Sequence, residues 1–168
     1  PAAVAADAQV RRGEAYLAAG LRAEAIRELN EVRERYRDDP LALYALAQRF
    51  ADLRLFSHAT LSAIRLAALS PDGLYRAPLY IQRMAYPEHY ADIVQAEAAA
   101  QGVDPLLIYA LIRQESFFEQ GARSSAAAQG LTQVIPSTAE WIASAMGWPN
   151  FQPGDIYKPY LNVKFGTY

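Results

Sequence analysis

The sequence predicts an all-α fold, and three observations carry that expectation. Apolar residues recur at spacings of three and four along most of the chain, as in Ala25, Ile26, Leu29 and Val32. No segment sustains the apolar–polar alternation of a half-buried strand. Helix punctuation recurs as well. Gly20 and Gly102 stand where a left-handed residue closes a helix, and Asp38-Asp39-Pro40 and Asp104-Pro105 stand where one ends or begins.

Taken in order, residues Ala8 to Ala19 form a first helix closed by Gly20, which accepts positive φ without a steric cost. Ala23 to Tyr36 form a second. Leu41 to Ala51 and Ser57 to Leu69 make another pair, with Ser57 as N-cap. Ser70-Pro71-Asp72-Gly73 is a turn. Residues Gly73 to Pro87, with Tyr75, Pro78, Tyr80, Tyr86 and Pro87, change composition as a connector does. Helix resumes over Pro87 to Ala100 and ends at Gly102. Asp104 and Pro105 suit the N-cap and first position of the next helix. The expected division is a helical segment over 1–74, a connector over 75–86 and a second domain over 87–168.

The first segment repeats. At an offset of 34, Gly13-Glu14-Ala15-Tyr16 meets Ala47-Gln48-Arg49-Phe50, Leu21 meets Leu55 and Ala25 meets Ala59. That period, with small residues at helix crossings, is tetratricopeptide-like. Two units are fewer than a solenoid normally needs, so the segment is expected to end a longer helical array or to lean on the domain that follows. An unrelated pair of helical hairpins with a chance period is the alternative. Such repeats leave room for a protein partner.

Composition narrows the function classes. The chain has 168 residues, is 52% hydrophobic and carries a formal net charge of −2, so disorder is excluded and nothing draws it to nucleic acid. There are no cysteines, which rules out disulfides and thiolate metal sites. His58 and His89, 31 positions apart, lack metal-ligand spacing and are expected at helix surfaces. No metal and no cofactor is expected. No apolar run is long enough to span a membrane. Pro1 is not a natural start residue, so an upstream segment is expected to have been removed.

Chemistry concentrates after Pro105. On a helical wheel Ile108, Leu111, Ile112, Glu115 and Phe118 share one face. A carboxyl on that stripe is expected to lose water, which favours its protonated form. A glycosidic leaving oxygen requires such a proton. Alternatively, Glu115 is a helix-end acid that reaches solvent or pairs with Arg123. Glu119, one turn on, is either a second carboxylate or a solvated acid. The small, polar run from Glu119 to Gly130 reads as a loop beside a rigid helix. Trp141 is expected to pack, because its helix also carries Ile142 and Ala145.

Gln114-Glu115-Ser116, Ala122-Arg123-Ser124-Ser125-Ala126 and Gly130-Leu131-Thr132-Gln133-Val134-Ile135-Pro136, in this order, resemble the soluble lytic transglycosylase family. Asn162-Val163-Lys164-Phe165-Gly166-Thr167-Tyr168 resembles a later helix of that family. The resemblance implies a lysozyme-like α-helical catalytic domain in the cell envelope. It implies peptidoglycan glycan strands as substrate, cleaved between N-acetylmuramic acid and N-acetylglucosamine to leave a 1,6-anhydro end. It makes Glu115 the acid and then the base. Ser124, Gln133 and Thr132 become sugar-contacting positions, and Ser116, Arg123 and Gly130 residues that shape the site. Thr132 replaces a common Met and Ala127 a common Gly. The family's later Ala-Tyr-Asn-Ala-Gly motif has no counterpart before Tyr168, so the domain is expected to be C-terminally incomplete.

Overall fold

The computed structural model describes residues 2–168, and their regular structure is helical: among them the only extended pairings are isolated bridges of Gln129 with Arg123 and Val134. The chain divides into two compact units, Pro1–Tyr86 and Pro87–Tyr168. The first holds α1 (Ala2–Ala6), α2 (Ala8–Ala18), α3 (Arg22–Arg35), α4 (Pro40–Asp52), α5 (Phe56–Ala68) and α6 (Leu79–Ala85). The second holds α7 (Ala91–Gln101), α8 (Pro105–Ser116), α9 (Pro136–Ala145) and α10 (Pro159–Thr167).

In the first unit the sequence repeat is a repeat of backbone geometry. Gly20 (φ 76°) and Arg54 (φ 56°), 34 positions apart, both take the left-handed conformation after a helix. In each case the next residue donates back across the turn at the same distance, Leu21 to the Tyr16 carbonyl and Leu55 to the Phe50 carbonyl, both 2.8 Å. This is the Schellman ending, which satisfies carbonyls that a helix end leaves open. The antiparallel pairs α2–α3 and α4–α5 result. Where they cross, Gly13 lies under Leu29, and Ala47 under Ala63 at the same register. Val10, Leu29, Val32, Leu46, Phe50 and Leu55 form the core between them.

Three boundaries differ from expectation. Ser57 is not the cap of α5: that helix starts at Phe56 behind Leu55, whose amide is already held by the Phe50 carbonyl. The segment expected as a connector contains α6, which packs on α5 through Ala85 against Ala63. The helix expected from Pro87 begins at Ala91, because Tyr90 is left-handed (φ 61°) and interrupts the backbone before it. Gly102 (φ 67°) closes α7 as its position predicts.

Neither histidine lies free on a helix surface: His58 is buried, and His89 is half-buried in the turn before α7. His58 packs edge-on to Phe50, and His89 edge-on to Phe118 at 5.3 Å between ring centroids. Burial pushes His89 down to about 4, since a charged imidazolium is poorly solvated there.

Candidate active site

Helix α8 presents Glu115. Asp104 caps it by accepting the Leu106 amide (2.8 Å), with Pro105 at the first position. Ile108 and Ile112 turn inward and are buried, which fixes the helix rotation. Leu111 is half-buried, and Glu115 follows one turn later on the same face, about 6 Å along the helix. The carboxyl is exposed. The expectation that the apolar stripe strips its water is therefore corrected: the stripe is buried through Ile108 and Ile112, and the last turn emerges from it. Among the described residues no ion pair joins Glu115 to Arg123.

The helix stops at Ser116 because Phe117 (φ 47°) and Phe118 (φ 65°) are both left-handed. Each costs about 1–2 kcal/mol relative to ordinary backbone. Burial of the Phe118 ring, 1% exposed, helps offset this. Glu119 consequently leaves the helix and does not stand one turn above Glu115. It accepts the Gly121 amide (3.2 Å) instead. Buried Ser116 donates to the Ile112 carbonyl (3.1 Å), tying down the turn that carries Glu115.

Residues 122–134 fold back on themselves as a tight pair of loops. Ser124 exchanges backbone hydrogen bonds with Ala128 and Ala127, and its Oγ accepts the Ala128 amide at 3.0 Å. The exposed hydroxyl keeps its proton for an external acceptor. Arg123 is exposed beside it. Ala127 is left-handed (φ 63°), the conformation that explains why glycine suits this position. Gln129 and Val134 pair both ways, at 3.0 and 3.1 Å, and enclose Gln133, which is also left-handed (φ 52°). The Gln133 Nε2 donates to the Gly130 carbonyl (2.9 Å).

Asn162 of α10, fully buried, underlies this loop. Its Oδ1 accepts from the Thr132 amide (2.7 Å) and hydroxyl (2.8 Å), and its Nδ2 donates to the carbonyls of Gln129 and Ile156 (both 2.9 Å). Two glycines make room. A Cβ on Gly130 would lie 2.2 Å from Asn162 Nδ2, and one on Gly166 would lie 2.2 Å from Thr132 Oγ1. Thr132 is buried with its hydroxyl engaged, so this side chain braces the loop.

An open trough of about 480 Å³ runs beside the loop, lined by Leu111, Thr132, Gln133, Ile135, Trp141 and Tyr168 among others. Glu115 stands one turn beyond Leu111, at the margin of this trough and outside its lining. Trp141 is 64% exposed and faces Tyr168 at 6.1 Å between centroids, so the expectation that it packs is corrected. Its neighbours Ile142 and Ala143 fill the core instead, with Phe165, Leu161 and Ile156. Trp148 does pack, against Phe165. Sequence reasoning quoted Asn162 within a motif but gave it no task; a polar residue in an otherwise apolar register, between Leu161 and Val163, was the available signal. Among the described residues no cluster of three His, Asp or Glu is placed to hold a metal ion.

Residues 92–168, a little under half the chain, match the family described as the Transglycosylase SLT domain. A putative soluble lytic murein transglycosylase of Haemophilus influenzae is 35% identical over 81 residues, 48% of this chain and 14% of that protein. A membrane-bound lytic murein transglycosylase C of Cronobacter sakazakii is 28% identical over 76% of this chain and 36% of its own length. Among solved structures, an inactive glutamate-to-glutamine mutant of lytic transglycosylase Slt from Pseudomonas aeruginosa superposes with a TM-score of 0.81 at 26% identity, covering 98% of this chain and 25% of that one. The 70 kDa soluble lytic transglycosylase of Escherichia coli shares the fold, with a TM-score of 0.77 at 21% identity over 98% of this chain and 25% of that one. The chain thus spans roughly a seventh to a third of the relatives it matches. Residues 92–168 are similar to the Transglycosylase SLT domain and to proteins named as lytic murein transglycosylases.

Proposed function

We propose that this chain belongs to a lytic transglycosylase of the cell envelope that cleaves the β-1,4 bond between N-acetylmuramic acid and N-acetylglucosamine in peptidoglycan. The observation that carries the proposal is Glu115, exposed in the last turn of α8 just before the left-handed Phe117 and Phe118, on the helix face that lines the trough one turn earlier. Glu115 in its protonated form gives its proton to the glycosidic oxygen as the C1–O bond breaks and N-acetylglucosamine leaves. The resulting carboxylate takes the proton of the muramic 6-hydroxyl as that oxygen bonds to C1. Glu115 ends protonated, no water is consumed, and the product is a 1,6-anhydro sugar. One carboxyl group thereby serves both steps, where hydrolases typically use two. This assignment is supported by the location of Glu119, which lies outside α8 and so does not form a second carboxylate one turn above the first.

Ser124 and Gln133 contact the sugars, each retaining hydrogen-bonding capacity toward the solvent side. Ser116, Arg123 and Gly130 shape the site. We assign Thr132 to this shaping group as well, since its hydroxyl is spent on Asn162. The first unit, up to Tyr86 and including α6, is proposed as part of a tetratricopeptide-like or superhelical array that offers a surface to a protein partner, followed by the SLT domain over 87–168. The repeat character of the array is supported by the matched turns at Gly20 and Arg54. Among the described residues no helix is long and apolar enough to cross a membrane.

The test is product analysis. The full-length protein containing this chain is incubated with purified peptidoglycan, and the fragments are weighed by mass spectrometry. Anhydromuramyl ends are expected, and Glu115→Gln is expected to lower their formation at least about a thousandfold, as loss of an essential proton donor does. Free reducing ends in their place identify a lysozyme-like hydrolase. Tight partner binding without any cleavage identifies a non-catalytic module.

A further inference from the structure

Gln133 holds a backbone conformation that glycine prefers, and both of its neighbours are fixed by the same buried side chain. On one side, the Thr132 amide and hydroxyl are held by Asn162 Oδ1 at 2.7 and 2.8 Å. On the other, the Val134 amide donates to the Gln129 carbonyl (3.1 Å), which also accepts from Asn162 Nδ2 (2.9 Å). The Asn162 carboxamide offers two acceptor sites and two protons, and all are used. A non-glycine left-handed residue persists when its surroundings over-determine it, and here they do. The Gln133 side chain spends its Nε2 on the Gly130 carbonyl (2.9 Å), which leaves Oε1 as an acceptor on the trough wall.

We propose that Asn162 is the positioning residue for Gln133, holding its left-handed backbone so that Oε1 meets a hydroxyl or acetamido N–H of the glycan strand. The assignment rests on the transglycosylase reading. Asn162 is fully buried and touches no substrate itself, so it acts through the loop. Its effect therefore belongs to substrate affinity, while the proton transfer at Glu115 is left largely intact.

The experiment is a double-mutant cycle on the full-length protein with soluble, uncrosslinked glycan strands, run well below each variant's melting temperature. N162A is expected to raise KM about tenfold with kcat within about threefold, and Q133A to do the same. The pair together is expected to stay near tenfold, because the first change already removes what the second would. N162D keeps both acceptor sites but sets a carboxylate oxygen against the carbonyls of Gln129 and Ile156. Protonation restores one donor, so its KM is expected to return toward wild type as pH falls, relative to N162A at each pH. T132V removes only the hydroxyl bond and is expected to raise KM about threefold, which tests the same bracket should N162A fail to fold. A lowered melting temperature with unchanged KM overturns the proposal, and so does a double mutant whose KM rises about a hundredfold. Wild-type protein without turnover overturns the transglycosylase reading itself, and this assignment with it.

Discussion

At the residue scale, Ala127 and Gly130 make opposite tests of the same loop. Ala127 is left-handed at φ 63°, so Ala127→Gly is expected to stabilise by about 0.5–1 kcal/mol, the relief of a Cβ clash less the entropy glycine loses. Gly130→Ala adds a Cβ at 2.2 Å from Asn162 Nδ2 in a left-handed position, and about 3 kcal/mol or more of destabilisation is expected. Urea unfolding of each variant measures both. Part of this site is legible in the sequence: Glu115, Ser124, Gln133 and Gly130 stand in motifs, and Ala127 departs from a glycine. The inward turn of Thr132 is not, because its partner Asn162 lies 30 positions away and only the fold brings them together. Nor is the exposure of Glu115. Helical spacing assigns a face to a residue, but not what covers that face at its last turn.

At the element scale, the two hairpins of the first unit cross through unlike pairs at equivalent positions, Gly13 with Leu29 and Ala47 with Ala63. A glycine inside a helix is ordinarily improved by alanine, by about 1 kcal/mol. Gly13→Ala is expected to reverse that sign and cost about 1–2 kcal/mol, because its Cβ would meet Leu29 Cγ and Cδ2 at 2.7 Å. Combined with Leu29→Ala, which recreates the Ala–Ala pairing of the second hairpin, the double mutant is expected to be less destabilised than the sum of the singles; thermal unfolding of all four proteins reads this. The turns at Gly20 and Gly102 were legible because their hydrogen bonds are local. Ser57 misled because capping chemistry was present where the Leu55 amide had already been satisfied. The helix α6 was hidden by tyrosines and prolines that tertiary packing on α5 overrides.

At the scale of the whole molecule, the two units are expected to respond to acid in sequence. His89 has its folded value depressed to about 4 by burial, below the 6.5 of an unfolded imidazole. The unfolded state then binds more protons between these values, so the His89 contribution to the second unit's stability is fully present above pH 6.5 and is lost as pH drops toward 4. In the first unit, the hydrogen bond from Arg49 holds the Glu14 carboxyl below its usual 4.5, so this contribution is present above pH 4.5 and is lost only on further acidification. Both tryptophans, Trp141 and Trp148, lie in the second unit, so their fluorescence reports it alone, while far-ultraviolet circular dichroism reports both. The fluorescence midpoint is expected to fall first between pH 6.5 and 4, and His89→Phe to flatten that dependence. The saturated carboxamide of Asn162 bears on a different question, how freely this sequence can drift. With no spare donor or acceptor, and with Gly130 and Gly166 pressed against it and Thr132, tolerance at any of these positions is conditional on the others. A combinatorial library across them should yield functional sequences in correlated sets, with viable single steps scarce between one set and the next.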